Sequence, residues 1–274
     1  MFERTILEFS KVSLKYDQTW ALRDVSLTLK PGETRVIFGE AGSGKTTLLK
    51  AVIGLVPVDE GKIELFGRDV RSTKESKLYE LRGLAGFLFQ EGGLFDSLTV
   101  GENVEYPIVN RQDGKENDKD RGTPEEQVRE MLRFVELNQT FDSFPSALSG
   151  GMRRRVGIAR AIITEPPLIL YDSPTAGLDP ITANTIMALV AKERDVRNSA
   201  SLIVTHRYQD GEIMAGFKYD AEHEDLVPVT EENDPKRSRT QFMVMKGGQI
   251  VFQGTRQQME QSEDEYVKKF IRHE

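Results

Sequence analysis

The chain of 274 residues is long enough for one large domain or two small ones, and its net charge of −7 and lack of a basic tail argue against broad attraction to nucleic acid. It has no cysteine, which excludes disulfides and thiolate metal sites. Its apolar runs are far shorter than the roughly 20 residues that cross a bilayer, and residues 1–5 show no signal peptide, so we expect a soluble, cytoplasmic protein.

Two antiparallel strands are predicted first. Apolar side chains alternate over residues 5–16 and again over 21–29, before a Pro-Gly turn. Tyr16 lies between the strands, where its ring could stack on an adenine or could simply close the small sheet. Trp20 is a weaker candidate for the same stacking contact. The two strands predict a small antiparallel β unit ahead of the rest of the fold.

Residues 39–46 carry the strongest signal in the chain. Their spacing, G-x-x-x-x-G-K-T, lets backbone N–H groups curl around phosphate oxygens, and the dipole of the following helix adds to the attraction. Lys45 would reach the β- and γ-phosphates, and the Thr46 hydroxyl would bind Mg²⁺. The apolar run before this loop disfavours a glycine-rich turn that binds nothing. The predicted nucleotide contacts are Gly39, Glu40, Ala41, Gly42, Ser43, Gly44, Lys45, Thr46 and Thr47.

A helical region follows the next strand. The apolar run 85–90 ends on Gln90, whose amide oxygen could reach Mg²⁺ or an attacking water, or could simply be solvated. Residues 91–156 have a helical pattern, with an amphipathic segment at 125–137. The charged stretch 110–124 cannot bury a core and predicts a solvated loop.

The segment Leu-Ser-Gly-Gly-Met at 148–152 precedes a predicted helix at 156–163. Ser149 can cap a helix here, and Gly150 and Gly151 leave its N-terminus open to an anion; an ordinary cap is the alternative. One domain does not need two phosphate-binding helix starts for one nucleotide. This second start therefore suggests a nucleotide held by another copy.

Two buried strands end in groups suited to phosphate chemistry. The strand 168–172 ends in Asp172, which could hold Mg²⁺ through water. The strand 201–205 leads into His206, at the strand end where α/β folds bind ligands, so His206 is a candidate contact for the γ-phosphate.

In this order, the motifs resemble those of the nucleotide-binding subunit of an ABC transporter, over nearly the whole chain. The S-G-G segment is the specific feature, because a phosphate loop alone occurs in any P-loop NTPase. The resemblance implies an ATPase with ATP and Mg²⁺ as cofactors, working as a head-to-tail dimer. The matched positions are Tyr16 (A-loop), Gln90 (Q-loop), Ser149, Gly150 and Gly151 (signature), Asp172 (Walker B), Asp179 (D-loop) and His206 (switch histidine). The implied metal set is Thr46, Gln90 and Asp172.

The resemblance also implies the architecture and the partners. We expect an α/β fold, a P-loop NTPase (RecA-like) core with a small antiparallel β subdomain and an inserted α-helical subdomain. The expected parts of this single domain are the core at 1–90 and 157–256, the helical subdomain at 91–156, a charged insertion at 218–240 and a helical tail at 257–274. The expected partners are a separate membrane permease, which would hold the chain at the cytoplasmic face of the inner membrane, and a second nucleotide-binding subunit, giving a homodimer.

Three shorter cues resemble the Mla/Mce-type lipid-transport ATPases. They are residues 92–100, Met152 where the signature normally closes on Gln, and the ending at 262–270. This finer resemblance suggests phospholipid or another hydrophobic cargo, with lipid-binding components as additional partners.

One catalytic position departs from the family pattern. Ser173 follows Asp172, where the family has the glutamate that acts on the attacking water. Ser173 keeps open a second function, an ATP-gated clamp or regulatory subunit with little turnover. A soluble ABC protein acting on DNA or the ribosome is disfavoured by the single cassette and the acidic charge. The catalytic set is then Gln90, Asp172, Ser173 and His206.

Overall fold

The computed structural model describes residues 5–90, 92–110, 122–230 and 239–271. Most of the predicted solvated loop at 110–124 and the part of the charged insertion from 231 to 238 therefore lie outside the described residues. Within the described ranges, no helix is both long and apolar enough to cross a membrane.

A six-stranded sheet forms the centre of the structure. Its strands are β3 (Thr34–Gly39), β6 (Ala85–Leu88), β7 (Leu168–Asp172), β8 (Ala200–Val204), β11 (Thr240–Lys246) and β12 (Gln249–Gly254). Their order is β12-β11-β3-β8-β7-β6, and every neighbouring pair is parallel except β11 with β12. Every residue of β3, β7 and β8 is buried, which explains the continuous apolar runs in these segments.

A smaller antiparallel sheet confirms the β unit predicted at the start of the chain. It contains β1 (Leu7–Tyr16), β2 (Thr19–Leu29), β4 (Glu60–Leu65) and β5 (Arg68–Asp69), in the order β2-β1-β4-β5. The helix α1 (Lys45–Val52) follows β3, and its buried Leu48 and Leu49 share one apolar cluster with both sheets. The start of α1 is thereby fixed against the core.

The helices α3 (Val100–Val109) and α4 (Pro124–Phe134) lie within the predicted helical region 91–156, α5 (Gly150–Ile162) begins in it, and α2 (Glu75–Arg82) precedes it. Both α3 and α4 begin with a capping box, made by Thr99 with Glu102 and by Thr123 with Glu126. The helix α5 begins at Gly150 rather than at 156, because Ser149 caps it. It therefore crosses the boundary at 156 that the sequence predicted between the helical subdomain and the core.

The C-terminal third differs from the prediction in its charged insertion. Its elements are α6 (Pro180–Arg197), α7 (Tyr208–Gly216), β9 (Phe217–Asp220), β10 (Asp225–Pro228), α8 (Arg256–Glu260) and α9 (Glu265–Ile271). The first half of the charged insertion is an antiparallel hairpin, β9 with β10, tied to α6 because the Tyr219 N–H donates to Asp195 at 2.8 Å. Up to residue 271, the predicted helical tail contains two short helices separated by residues 261–264.

Candidate nucleotide-binding site

The segments that follow the parallel strands meet at the carboxyl edge of the central sheet and surround a cavity of about 780 Å³. Its described lining residues are Tyr16, Thr19, Trp20, Ala21, Ala41, Gly42, Ser43, Gly44, Lys45, Thr46, Thr47, Gln90, Ser173, Ala176 and His206. Most of the predicted site residues therefore share one cavity. The parallel sheet explains this convergence, since its strands all end at one edge.

Two glycines in left-handed conformations give the phosphate loop its curl. Gly42 has φ +77° and Gly44, immediately before α1, has φ +102°. A Cβ atom on Gly44 would lie 2.1 Å from the backbone oxygen of Ala21, so a larger residue cannot fit without moving β2. The loop thus requires glycine at position 44 for both conformational and steric reasons.

The side chain of Lys45 folds back into the phosphate loop. Its Nζ donates to the backbone oxygens of Gly39 at 2.6 Å and Glu40 at 2.8 Å, and to Ser43 Oγ at 3.3 Å. Burial lowers the pKa of the Lys45 ammonium, while Asp172 and Glu40 oppose that shift. The ammonium is therefore held where phosphate oxygens would enter the loop.

The hydroxyl and the carboxylate predicted to hold Mg²⁺ are adjacent. Thr46 Oγ1 donates to Asp172 Oδ1 at 3.3 Å, and Asp172 is only 4% exposed at the end of β7. Among the described residues, no group of three or more His, Asp or Glu could hold a metal ion. A hydroxyl and one carboxylate, completed by phosphate oxygens and water, suit the coordination that Mg²⁺ prefers.

Ser173 occupies a backbone conformation that disfavours most side chains. Its φ is +51°, its N–H donates to the Val204 oxygen at 2.9 Å, and its hydroxyl donates to Asp172 Oδ1 at 3.3 Å. No carboxylate is found among the described residues that line the cavity. Within that lining, no carboxylate replaces the missing glutamate.

Gln90 and His206 both lie two residues beyond a strand end, and both side chains are exposed in the cavity wall. Tyr16 ends β1 and is 52% exposed. The Trp20 ring has the Lys15 ammonium 4.0 Å from its centre, so one of its faces is already covered. This geometry favours Tyr16 over Trp20 as the ring that could stack on a base.

The signature and D-loop residues lie outside this cavity. Ser149 Oγ accepts from the Met152 N–H at 3.2 Å, which confirms the predicted cap of α5. Asp179 caps α6 by accepting from the N–H groups of Ile181 at 3.1 Å and Thr182 at 3.0 Å, and hydrogen bonds from Thr182 lower its pKa. Neither Ser149, Gly150, Gly151 nor Asp179 is among the described lining residues.

Two buried charged residues beside the site were not predicted. Arg154 of α5 is 4% exposed and donates to the backbone oxygens of Phe89 at 3.4 Å and Ala176 at 3.2 Å. Asp210 of α7 is fully buried and binds the segments beside Ser173 and His206. The position of Asp210 four residues after His206 was the only sequence signal, and it does not reveal burial.

The central sheet, the phosphate loop and the Asp172 carboxylate beside Thr46 define a P-loop nucleotide-binding protein, and the S-G-G segment that caps α5 is the feature specific to ATP-binding cassettes. Residues 22–176, more than half of the chain, match the family model described as ABC transporter. The chain therefore belongs to the ABC transporter family. As predicted, it is an ATP-binding subunit of that family.

The curated relatives include methionine import proteins and probable ribonucleotide transport proteins. The chain is 40% identical over 195 residues to the methionine import ATP-binding protein MetN of Corynebacterium efficiens, covering 71% of this chain and 53% of that protein. It is 35% identical over 200 residues to the probable ribonucleotide transport ATP-binding protein mkl of Mycobacterium tuberculosis, covering 73% of this chain and 54% of that protein. The chain thus spans about half the length of the curated relatives it matches.

Solved structures confirm the predicted fold class. A dimeric ATP-binding cassette, MJ0796, in a post-hydrolysis state with ADP and Pi, is 27% identical with a TM-score of 0.73, covering 91% of this chain and 98% of that chain. The cassette cbiO1 of Clostridium perfringens, part of the ABC transporter complex cbiONQ, is 25% identical with a TM-score of 0.75, covering 97% of this chain and 94% of that chain. The post-hydrolysis state of MJ0796, with ADP and Pi bound, agrees with the ATPase activity predicted for this class.

Proposed function

We propose that the chain is the ATP-hydrolysing subunit of an ABC transporter and that it binds Mg-ATP between two copies arranged head to tail. One observation carries the proposal. Residues 41–46 of the phosphate loop, Gln90 and His206 line the cavity, and Asp172 accepts a hydrogen bond from the lining Thr46, whereas the signature helix start at Ser149 lies outside the cavity. A second copy can supply that helix start to the nucleotide, and the related MJ0796 cassette is dimeric.

Different residues of the site would bind the phosphates, the base and Mg²⁺ and would orient the attacking water. Lys45 would exchange its loop oxygens for phosphate oxygens, and Tyr16 would stack on the base. Bound Mg²⁺, held by Thr46 and by Asp172 through water, would neutralise charge on the phosphates. Gln90 and His206 would orient the attacking water and the γ-phosphate.

Ser173 supports slow ATP hydrolysis by a transporter subunit rather than the alternative function of an ATP-gated clamp. A serine hydroxyl is a poor base near neutral pH, and general-base assistance is worth roughly 10²- to 10⁴-fold in rate. Positioning and charge stabilisation by Lys45 and Mg²⁺ would still accelerate the reaction. The relatives described above are named as transport proteins, which favours a slow transporter subunit over an ATP-gated clamp.

An aromatic groove beside Gln90 is the proposed contact for the membrane permease. Phe87 and Phe89 stack with ring centres 4.2 Å apart, and Phe95 and Tyr106 lie 4.8 Å apart, around a cavity of about 390 Å³. Phe89, Phe95 and Tyr106 are each about 40% exposed, at 38%, 42% and 42%. An apolar helix of the permease would cover these rings and press on the segment that carries Gln90.

The cargo is a separate part of the proposal. The Mla/Mce-type cues support phospholipid or another hydrophobic molecule, together with lipid-binding components of such a system. The name of the Corynebacterium relative supports methionine as the second candidate. The chain would act at the cytoplasmic face of the inner membrane, where the permease would select the cargo.

The test is purification of the tagged chain from detergent-extracted membranes. We expect one membrane protein to co-purify, with bound phospholipid found by mass spectrometry, and Phe95→Ala to weaken that association. Val251→Ala is the matched control, since Val251 is also exposed, at 43%, but lies on β12 away from the groove. Methionine binding without lipid would replace the cargo proposal. Co-elution with ribosomes or DNA and no membrane partner would overturn the transporter function.

A further inference from the structure

A fully buried carboxylate joins the two loops that carry the catalytic candidates. Asp210 lies in the first turn of α7 and has 0% of its surface exposed. Its Oδ2 accepts from Thr175 Oγ1 and from Thr205 Oγ1, both at 2.6 Å, and its Oδ1 accepts from Arg207 at 3.1 Å. Burial raises the pKa of the Asp210 carboxyl, while the three donors oppose that shift and stabilise the ionised carboxylate.

The three donors come from two segments, the turn after β7 and the loop after β8. Thr175 lies two residues after Ser173, in the turn that leads to Asp179, and Thr205 immediately precedes His206. Arg207 also donates to Asn184 Oδ1 at 2.7 Å, and Asn184 belongs to α6. Asp210 thus links the turn after β7, the loop after β8 and the helix that follows the D-loop.

A buried carboxylate at position 210 carries a large desolvation cost. Removing a charge from water costs several kcal/mol even when the charge is paired, and an apolar side chain of similar size often stabilises a fold equally well. The benefit of the carboxylate is geometric, because two short hydrogen bonds fix the distance between the Thr175 and Thr205 segments. Asparagine reproduces only part of this arrangement, since its amide oxygen can accept from both hydroxyls but its NH2 group would then face the Arg207 guanidinium.

We propose that Asp210 is a positioning residue that holds His206 in a fixed place relative to the Ser173 turn. Asp210 does not line the cavity and acts through His206. The inference rests on the proposed function, because it assumes that ATP occupies the cavity. It predicts that loss of Asp210 slows the chemical step while ATP binding at the phosphate loop is retained.

The test compares Asp210→Asn with wild type by calorimetry for ATP affinity and by single-turnover phosphate release. We expect a decrease of about 10- to 100-fold in the rate of release, because small displacements of positioned groups cost that much. ATP affinity should change less than about twofold, since Lys45 and its loop are unaffected. In a His206→Ala background, Asp210→Asn should cause little further loss, because the two residues act as one unit.

Asp195→Asn is the matched control. Asp195 is also a largely buried, ion-paired carboxylate, but it binds Arg194 and the β9 backbone rather than the catalytic loops. Its variant should leave the rate of phosphate release unchanged. If Asp210→Asn proves poorly folded, Thr175→Val removes one hydroxyl alone and should still lower the rate with ATP affinity intact.

Three results would overturn the positioning role. They are an unchanged rate in Asp210→Asn, a parallel loss of ATP affinity, and equal losses with and without His206. Failure of wild type to bind ATP at all would instead overturn the proposed function, and the positioning role with it.

Discussion

Individual side chains prepare the phosphate loop before a nucleotide enters. The Lys45 ammonium is fixed by two loop carbonyls and Ser43, and the left-handed Gly44 allows α1 to start directly against β2. Phosphate oxygens need only replace contacts that Lys45 already makes. This preparation lowers the cost of ordering the loop when ATP binds.

Lys45→Ala should weaken binding of Mg-ATP by roughly 10- to 100-fold, because a hydrogen-bonded charge on the β- and γ-phosphates is lost. Calorimetric titration measures the change. Lys50→Ala is the control, since Lys50 lies on the same helix but outside the cavity lining. Unchanged affinity in Lys45→Ala would mean that the nucleotide binds elsewhere.

Ser173→Glu should increase the rate of ATP hydrolysis, because it restores a base beside a cavity whose described lining has no carboxylate. The gain could approach the ~10²-fold typical of general-base assistance. Phosphate release by both proteins, each with the permease present, measures it. A wild type that already turns over at the rate of the variant would show that another group orients the water.

Glu193 links stability to pH. It is fully buried in α6, accepts from Ser199 Oγ at 2.5 Å, and burial raises its pKa to about 7. Because this pKa is raised from 4.5 in the folded state, the protonated Glu193 side chain contributes to the free energy of unfolding at low pH. That contribution is lost as the pH rises through about 7.

Glu193→Gln should remove that pH dependence. Between pH 5 and pH 8, wild type should lose about 2–3 kcal/mol more unfolding free energy than the variant does. Urea unfolding at the two pH values measures the difference, with Glu130→Gln on the exposed face of α4 as control. Parallel pH profiles for wild type and Glu193→Gln would contradict the shifted pKa.

The helix α9 is held against the rest of the structure by apolar packing more than by ion pairs. The C-terminal helix α9 contacts the phosphate loop through an exposed ion pair between Lys269 and Glu40. It is also anchored by Val267, which is 1% exposed within the main apolar cluster, and by the Tyr266 hydroxyl, which donates to the Met245 oxygen at 3.2 Å. Apolar burial should therefore decide whether α9 stays docked.

Val267→Ala should cost about 2 kcal/mol and speed hydrogen exchange of the α9 amides about 30-fold. Lys269→Ala should have a much smaller effect on both quantities, since exposed ion pairs are weak. Hydrogen exchange followed by mass spectrometry compares the two variants. A larger effect from Lys269→Ala would show that the ion pair, not the apolar contact, holds the helix.

Elements with strong local patterns could be predicted from the sequence, and those defined by long-range contacts could not. The buried strand ending at Asp172 and the cap at Ser149 are encoded within a few residues. The β9–β10 hairpin was missed because its charged residues resemble a solvated insertion, whereas its anchors lie on α6. The burial of Asp210 was missed because it depends on packing against segments such as that of Thr175, its hydrogen-bond partner 35 residues away in the sequence.

In the molecule as a whole, the two anion-binding helix starts are separate. The start of α1 opens into the cavity, whereas the start of α5 at Ser149 lies outside it. In the proposed arrangement, one chain presents the phosphate-loop half of one nucleotide site and the signature half of another, and two copies facing each other would complete both sites. With slow hydrolysis at Ser173, the closed dimer should persist once it has formed.

Ser149→Arg probes this arrangement without disturbing the phosphate loop. The larger, charged side chain would block the opposing nucleotide while Lys45 and Thr46 still bind ATP. Calorimetry should therefore show normal ATP affinity in the variant. Any loss of dimers can then be assigned to the signature face.

The most direct measurement is the molar mass of the chain by light scattering, with and without saturating Mg-ATP. Wild type should change from the 31.0 kDa of one chain to about twice that mass when ATP is added, and Ser149→Arg should remain at 31.0 kDa. A wild type that binds ATP yet stays at 31.0 kDa, or a Ser149→Arg variant that doubles its mass with ATP, would contradict the shared nucleotide site.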